Sequence, residues 1–123
     1  MNTDENDALT EKIIGCAFRV ANGLGPGYIE SVYHKAMMHE LTKLGLKAES
    51  KKPLTVIYDG VVVGEFEPDI LVEDEVILEL KAIKALDEFF TAKCLNYLTT
   101  TGLKRSLLIN FGTPRIQIKR ISN

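Results

Sequence analysis

A chain of 123 residues and 13.7 kDa has the size of one ordinary domain and is too short for two independent cores. Apolar residues at 46% and charged residues at 26% give the balance of a soluble globular protein, and no apolar run approaches the ~18 residues of a membrane span. The formal net charge of −2 gives no sign of a nucleic-acid binder held by bulk charge. Two distant cysteines, Cys16 and Cys94, are too few for a disulfide scaffold and fit a reducing, cytoplasmic setting. The acidic opening, Met-Asn-Thr-Asp-Glu-Asn-Asp, lacks the basic-then-apolar plan of a secretion signal.

The first predicted element is an amphipathic helix over 7–23, with Leu9, Ile13, Ala17 and Val20 at helical spacing and Ile14 and Phe18 widening the stripe. Asn22-Gly23-Leu24-Gly25-Pro26-Gly27 breaks it. A second helix is expected from about Tyr28 to Leu44, with Ile29, Val32, Tyr33, Ala36, Met37, Leu41 and Leu44 on one side and Gly45 as its left-handed end. Strands follow at Leu54–Tyr58 and Val61–Val63, joined by the two-residue hairpin signal Asp59-Gly60. Two more are read at Asp69–Val72 and Val76–Lys81, around the acidic turn Glu73-Asp74-Glu75. A third helix spans about Asp87 to Thr101, with Asp87 as N-cap, Gly102 at the other end, and Phe90, Cys94, Tyr97 and Leu98 inward. Leu107–Ile109 reads as a buried strand, and Ile116, Ile118 and Ile121 as a final short one. The order is that of one mixed α/β domain, a meander sheet covered by helices.

Charge is unevenly spread along this order. Residues 1–80 hold 7 Lys and Arg against 15 Asp and Glu, whereas residues 81–123 hold 8 against 2. Seven carboxylates lie between Glu65 and Glu79 with no Lys or Arg among them, and Lys81 and Lys84 follow at once. Such a patch needs a cation or open water to relieve its repulsion.

The candidate chemistry is Pro68-Asp69 followed by Glu79-Leu80-Lys81. With 11 Glu and 11 Lys, about one Glu-x-Lys is expected by accident, and the chain has two. Glu49-Ser50-Lys51 sits in a polar stretch that reads as a solvated loop. Glu79 and Lys81 interrupt an apolar strand and share a face with Ile77. One reading of them is an ion pair on a solvated sheet face; the other is a partly buried site. Register separates the two. A three-residue connection through Glu73-Asp74-Glu75 sets Asp69 opposite Glu79 on one face, and a two-residue turn sets them apart. Two converging carboxylates suit a hard divalent cation such as Mg²⁺ or Mn²⁺, which keeps waters for phosphate oxygens, with a lysine to hold the attacking water. His34 and His39 lie on different sides of a helix, and no Walker-type glycine loop is present.

Gly27-Tyr-Ile-Glu30-Ser-Val-Tyr33 is similar to Gly-x-x-Glu-x-x-Tyr, the signature that names the GxxExxY family. The likeness continues through Leu24–Gly27, Pro53-Leu54, the Asp69 to Lys81 segment, Tyr97–Gly102 and Leu108-Ile109-Asn110-Phe111. That family resembles a compact member of the PD-(D/E)xK nuclease-like superfamily, whose restriction-endonuclease-like core is αβββαβ; an extra helix precedes it here. The resemblance implies Asp69 and Glu79 as metal ligands, Lys81 as the residue that positions or activates the water, and Glu30 as a further carboxylate near the metal. Read without the family, Glu30 is a first-turn carboxylate favoured by the helix dipole by ~0.3–1 kcal/mol. Tyr33 reads as a packed aromatic or as support for Glu30, and His34 as an exposed or capped imidazole. Where the family and many superfamily nucleases tend to carry a glutamine, this chain has Lys93, which either contacts a phosphate or neutralises the carboxylates. Lys84, Lys93, Lys104 and Arg105 are candidate phosphate contacts.

The function implied is a metal-dependent, nuclease-like hydrolase of phosphodiester bonds. The alternative is a catalytically inactive nucleic-acid- or protein-binding module on the same fold. A third reading is an oligomeric scaffold, for instance a homodimer, held together through the apolar Val61–Val63 edge or the first helix.

Overall fold

The structure is a computed structural model that describes residues 3–123, with side chains from residue 8 onward, so the start of the acidic opening lies outside the described residues. α1 (Thr3–Leu24) begins earlier than the apolar stripe predicts and buries Ile13, Cys16, Ala17 and Val20. Phe18 corrects the expected stripe: it lies about 140° round the helix from Ile13, and its ring stays 47% exposed while Cys16 takes the inward place. α2 (Glu30–Lys43) turns Tyr33, Met37 and Leu41 inward. Ile29 and Leu44, expected on that face, fall just beyond its ends and are exposed. Gly45, at φ 74°, closes the helix as expected, its N–H donating to the Thr42 carbonyl.

The strands are β1 (Ala48–Ser50), β2 (Leu54–Tyr58), β3 (Val61–Phe66), β4 (Ile70–Val72) and β5 (Val76–Lys81), then β6 (Arg105–Asn110) and β7 (Gln117–Ser122) after α3 (Glu88–Thr101). Asp87 caps α3 by accepting from the Phe89 N–H, and Gly102 closes it at φ 75°. Five strands form one sheet in the order β1-β4-β5-β6-β7, parallel only between β5 and β6. Two expectations change here. Glu49-Ser50 is not a loop but part of an edge strand paired with β4, and its polar side chains suit an edge that is bonded on one side only. The β2–β3 hairpin also stands outside the main sheet, so the sheet is not one continuous meander. Pro53 and Pro68 flank that hairpin and cannot donate to a ladder, so the chain leaves the sheet after β1 and returns at β4. Its turn, Asp59 at φ 53° and Gly60 at φ 76°, is the mirror-image type that the sequence signals.

Helices cover both faces of the sheet. Val76, Leu78 and Leu80 of β5 pack with Ile70, Val72, Leu107 and Ile109 against α1 and α2. Ile77 packs with Leu71 and Leu108 against Cys94 and Leu98 of α3. The alternation places the odd-numbered residues of β5 on the α3 face. At the base of the hairpin, Leu54 packs into this second cluster and Phe66 stacks on Tyr97 with ring centroids 3.9 Å apart. No helix among the described residues is long and apolar enough to cross a membrane.

Candidate functional site

The connection between β4 and β5 has three residues, with Glu73 and Asp74 in the left-handed region at φ 53° and 55°. The pairs Val72–Val76 and Ile70–Leu78, carried one residue further, set Asp69 opposite Glu79. Both share the α3 face with Lys81 by strand parity. The ladder stops here because Pro68 precedes Asp69. The amide that would continue it, Leu80 N–H, donates instead to Asp69 Oδ2 at 2.7 Å. On the other side, Lys51 N–H donates to the Asp69 carbonyl at 3.1 Å. Asp69 is thereby tied to both neighbouring segments at the point where the strands part.

Glu79 is the most perturbed acid of the site. Burial, the negative charge of Asp69 and a hydrogen bond between the two carboxyl groups push it up to about 8, and the cationic Lys93 and Lys81 offset this only partly. Glu79 Oε1 is buried without a hydrogen-bond partner among the described residues. The ion pair between Glu79 and Lys81 weighed from the sequence is not formed among these residues; the Lys81 ammonium rests 4.6 Å above the Phe90 ring. Lys93, exposed on α3, leans on Tyr97, 5.7 Å from its ring, and the Tyr97 hydroxyl and then the Glu79 charge hold its pKa above the ordinary lysine value. Lys84 lies on the exposed segment after β5, and no contact joins it to the carboxylates among the described residues. Burial pushes the Cys94 thiol to about 11, so it is no nucleophile.

Glu30 opens α2 across from Asp69. Desolvation and the Asp69 charge raise its pKa, against Lys81 and Lys51, so its carboxylate is within electrical reach of both lysines. Tyr33 explains the spacing of the Gly-x-x-Glu-x-x-Tyr segment. Its hydroxyl donates to the Gly25 carbonyl at 2.6 Å and accepts the Tyr28 N–H at 3.2 Å, and its ring stacks on Phe111 at 4.7 Å. Gly27, at φ 118°, supplies the backbone bend that side-chain-bearing residues rarely adopt. Tyr33 therefore holds the loop from which Glu30 departs, with its hydroxyl bonded to that loop and not to Glu30. Tyr33→Phe is expected to cost roughly 1–2 kcal/mol in urea unfolding, because it leaves both the Gly25 carbonyl and the Tyr28 amide short of a partner.

His34 meets the expectation of a capped imidazole. It is half-buried, and its Nε2 lies 2.8 Å from Ser50 Oγ on the edge strand that the sequence reading missed. Desolvation lowers its pKa, opposed by Asp69 and reinforced by Lys51. Glu30, Ser31, His34, Lys35, Met38, Ser50, Lys51 and Asp69 line a cleft of about 630 Å³ between α2 and β1. Asp69 thus touches two spaces, the carboxylate pair under α3 and this open cleft. Among the described residues, no three His, Cys, Asp or Glu side chains already converge as a metal cage.

The sequence model of the PD-(D/E)XK nuclease superfamily matches residues 7–121. The chain belongs to that superfamily. No protein of curated function matches it. Among solved structures, the crystal structure of SSO0001 superposes with a TM-score of 0.57 at 17% identity, over 76% of this chain and 50% of the other. That likeness is one of fold, and this chain spans half the length of the solved protein. The PD-(D/E)XK match and the superposition agree with the mixed α+β order, a five-stranded sheet with three helices.

Within this PD-(D/E)XK fold, the sequence reading gave Leu108-Ile109-Asn110-Phe111 no role, and the structure supplies one. Asn110 is fully buried beside Lys81 in the parallel register. Its Oδ1 accepts from the Ile83 and Gly112 amides, and its Nδ2 donates to the Ile83 carbonyl and to Gln117 Oε1. A Cβ at Gly112 would sit 2.3 Å from the Ile83 backbone, and Phe111 N–H donates to the Lys81 carbonyl. The chain just beyond Lys81 is clamped on all sides. Asn110→Ala is expected to destabilise the fold by roughly 3 kcal/mol in urea unfolding, because two buried amides and a carbonyl lose their partner. A buried Asn at the end of an apolar strand was the available signal.

Proposed function

We propose that the chain is a metal-dependent hydrolase of phosphodiester bonds in nucleic acid, of the GxxExxY type, with the carboxylate pair Asp69 and Glu79 as its metal-binding centre. One observation carries this reading: the strand register sets the carboxyl groups of Asp69 and Glu79 facing one another, and one buried oxygen of Glu79 has no partner among the described residues. The donor set fits a hard cation. Mg²⁺ binds through one or two carboxylates and keeps several waters, so two facing acids suffice without a full cage. Asp69 and Glu79 would hold Mg²⁺ or Mn²⁺, and Glu30 would reach its hydration shell. When bound, the ion supplies charge stabilisation for the phosphoryl oxygens and a more acidic water. Lys81, on the same face and on a clamped strand end, holds the attacking water and offsets charge on the phosphorane. Lys93 takes a phosphate oxygen beside the pair.

The test is calorimetric titration of Mg²⁺ and Mn²⁺, followed by cleavage assays with and without metal. Binding lost in Asp69→Ala together with cleavage lost in Lys81→Ala supports the reading; cleavage indifferent to metal overturns it. A second reading, a binding module without turnover, draws on the positive charge that Lys93 already directs at Glu79. Under it, Lys93→Gln should raise Mg²⁺ affinity about tenfold, since a like charge is removed from the site.

A further inference from the structure

The cleft between α2 and β1 lies beside the proposed metal centre and opens on Asp69 and Glu30. Its volume of about 630 Å³ is that of a pocket for a group of small-molecule size, one or two nucleotides, and is far too small for a base-paired helix. Its two sides differ in chemistry. Met38 and the aliphatic stem of Lys35 offer apolar wall, whereas Lys51, Lys35 and the His34–Ser50 pair offer charge and hydrogen bonds. The carboxylates of Glu30 and Asp69 share the lining with Lys35 and Lys51, so the cleft does not suit a bare phosphate. An apolar wall beside cationic groups matches a nucleotide, whose flat base lies on the wall and whose single anion meets the lysines. Lys51 is also unusual in its backbone. It stands at φ 53°, where its N–H reaches the Asp69 carbonyl, so the same residue that anchors the metal-site strand also lines the cleft. Ser50 fixes the imidazole at 2.8 Å, which keeps the ring against the cleft in one orientation.

We propose that this cleft is a subsite for one unpaired nucleotide next to the scissile phosphate, with Lys51 and Lys35 on its phosphate and the Ser50-held His34 against its base or sugar. The proposal rests on the nuclease reading above and deepens it, because it makes single-stranded or frayed nucleic acid the preferred substrate. A base in a duplex must leave its stack to enter, at a cost of a few kcal/mol that an unpaired base does not bear. Single-strand binders combine these two elements, a cationic track and a surface on which a base can lie.

Fluorescence anisotropy in Ca²⁺, which relieves the carboxylate charge, tests it with three probes: a short oligodeoxynucleotide, the matching oligoribonucleotide and a blunt DNA duplex. The wild type should bind one or both single strands at least tenfold more tightly than the duplex, and the two sugars tell which nucleic acid is preferred. Lys51→Asn, which tolerates the left-handed backbone, should weaken single-strand binding roughly tenfold and lower the salt slope by about 0.7. His34→Gln keeps a bond to Ser50 but loses the ring and should also weaken binding, with His34→Phe restoring part of it. Circular dichroism melting of each variant separates loss of the fold from loss of the contact. Duplex bound as tightly as single strand, or Lys51→Asn indistinguishable from wild type, overturns the subsite. A protein that binds Mg²⁺ through Asp69 and Glu79 yet ignores every oligonucleotide also overturns it and leaves the metal centre standing. Absence of Mg²⁺ binding, by contrast, removes the nuclease reading itself.

Discussion

Asp69→Asn is expected to abolish measurable Mg²⁺ binding and to lower metal-dependent cleavage by at least about a thousandfold. The carboxylate does three things at once. It faces Glu79, it accepts the Leu80 amide at 2.7 Å, and it borders the cleft that opens toward Glu30. Asparagine preserves size and leaves an oxygen for the Leu80 amide, so the fold should persist while the charge goes. Loss of the charge also relieves Glu79, whose pKa should fall toward the ordinary carboxylate range because two of its three raising influences come from Asp69. Calorimetry, urea unfolding and cleavage on the same variant check the three consequences separately. Strong Mg²⁺ binding retained in Asp69→Asn would place the ion elsewhere and remove Asp69 from the centre.

Much of this was readable before any coordinates. Periodicity placed all three helices, and strand alternation put Glu79 and Lys81 on one face with Ile77, because both signals are local and both faces of the sheet are buried. The parity of a three-residue acidic turn was enough to bring Asp69 opposite Glu79. What remained hidden was set by distant partners. Ser50 looks like loop because a three-residue edge strand with two polar side chains carries no hydrophobic pattern, and only pairing with β4 defines it. His34 could not be matched to Ser50 without that strand. Phe18 misled because an aromatic near the stripe reads as core, while the helix angle turns it to solvent. Lys81 was read with Glu79 because the two are neighbours in sequence, but the ring of Phe90, nine residues on, is where its ammonium rests.

The framework around the carboxylates divides the labour between two aromatic or amide anchors. Tyr33, held at its hydroxyl by Gly25 and Tyr28 and at its ring by Phe111, sets where Glu30 starts. Asn110 and the bare backbone of Gly112 set where the chain goes after Lys81. Phe111 directly follows Asn110 in sequence and stacks on Tyr33, so the two anchors are mechanically joined through one residue. Side chains held on such fixed supports would need little reorganisation on binding a ligand.

The second large effect is on pH dependence. Burial and the neighbouring Asp69 push Glu79 up to about 8 in the fold, against about 4.3 in an unfolded chain. Between these values the folded protein binds a proton that the unfolded protein has lost, so stability is greatest below the unfolded pKa and declines as pH rises through the folded one. The slope cannot exceed about 1.4 kcal/mol per pH unit for one group. Glu30, also raised, acts in the same direction, whereas the lowered His34 favours the fold as pH rises through its lowered value up to its ordinary one. Glu79→Gln isolates the effect, because glutamine stays neutral and can donate to Asp69 at every pH. Urea midpoints taken at about pH 5 and about pH 9 should fall markedly for the wild type and little for Glu79→Gln, which becomes the more stable of the two in alkali. Mg²⁺ should flatten the wild-type decline, since a cation between the carboxylates replaces the shared proton, and its binding near neutral pH should release about one proton, read as a heat that varies with the buffer. A wild type equally stable across that range, with Mg²⁺ binding that releases no proton, would mean that the two acids do not share one.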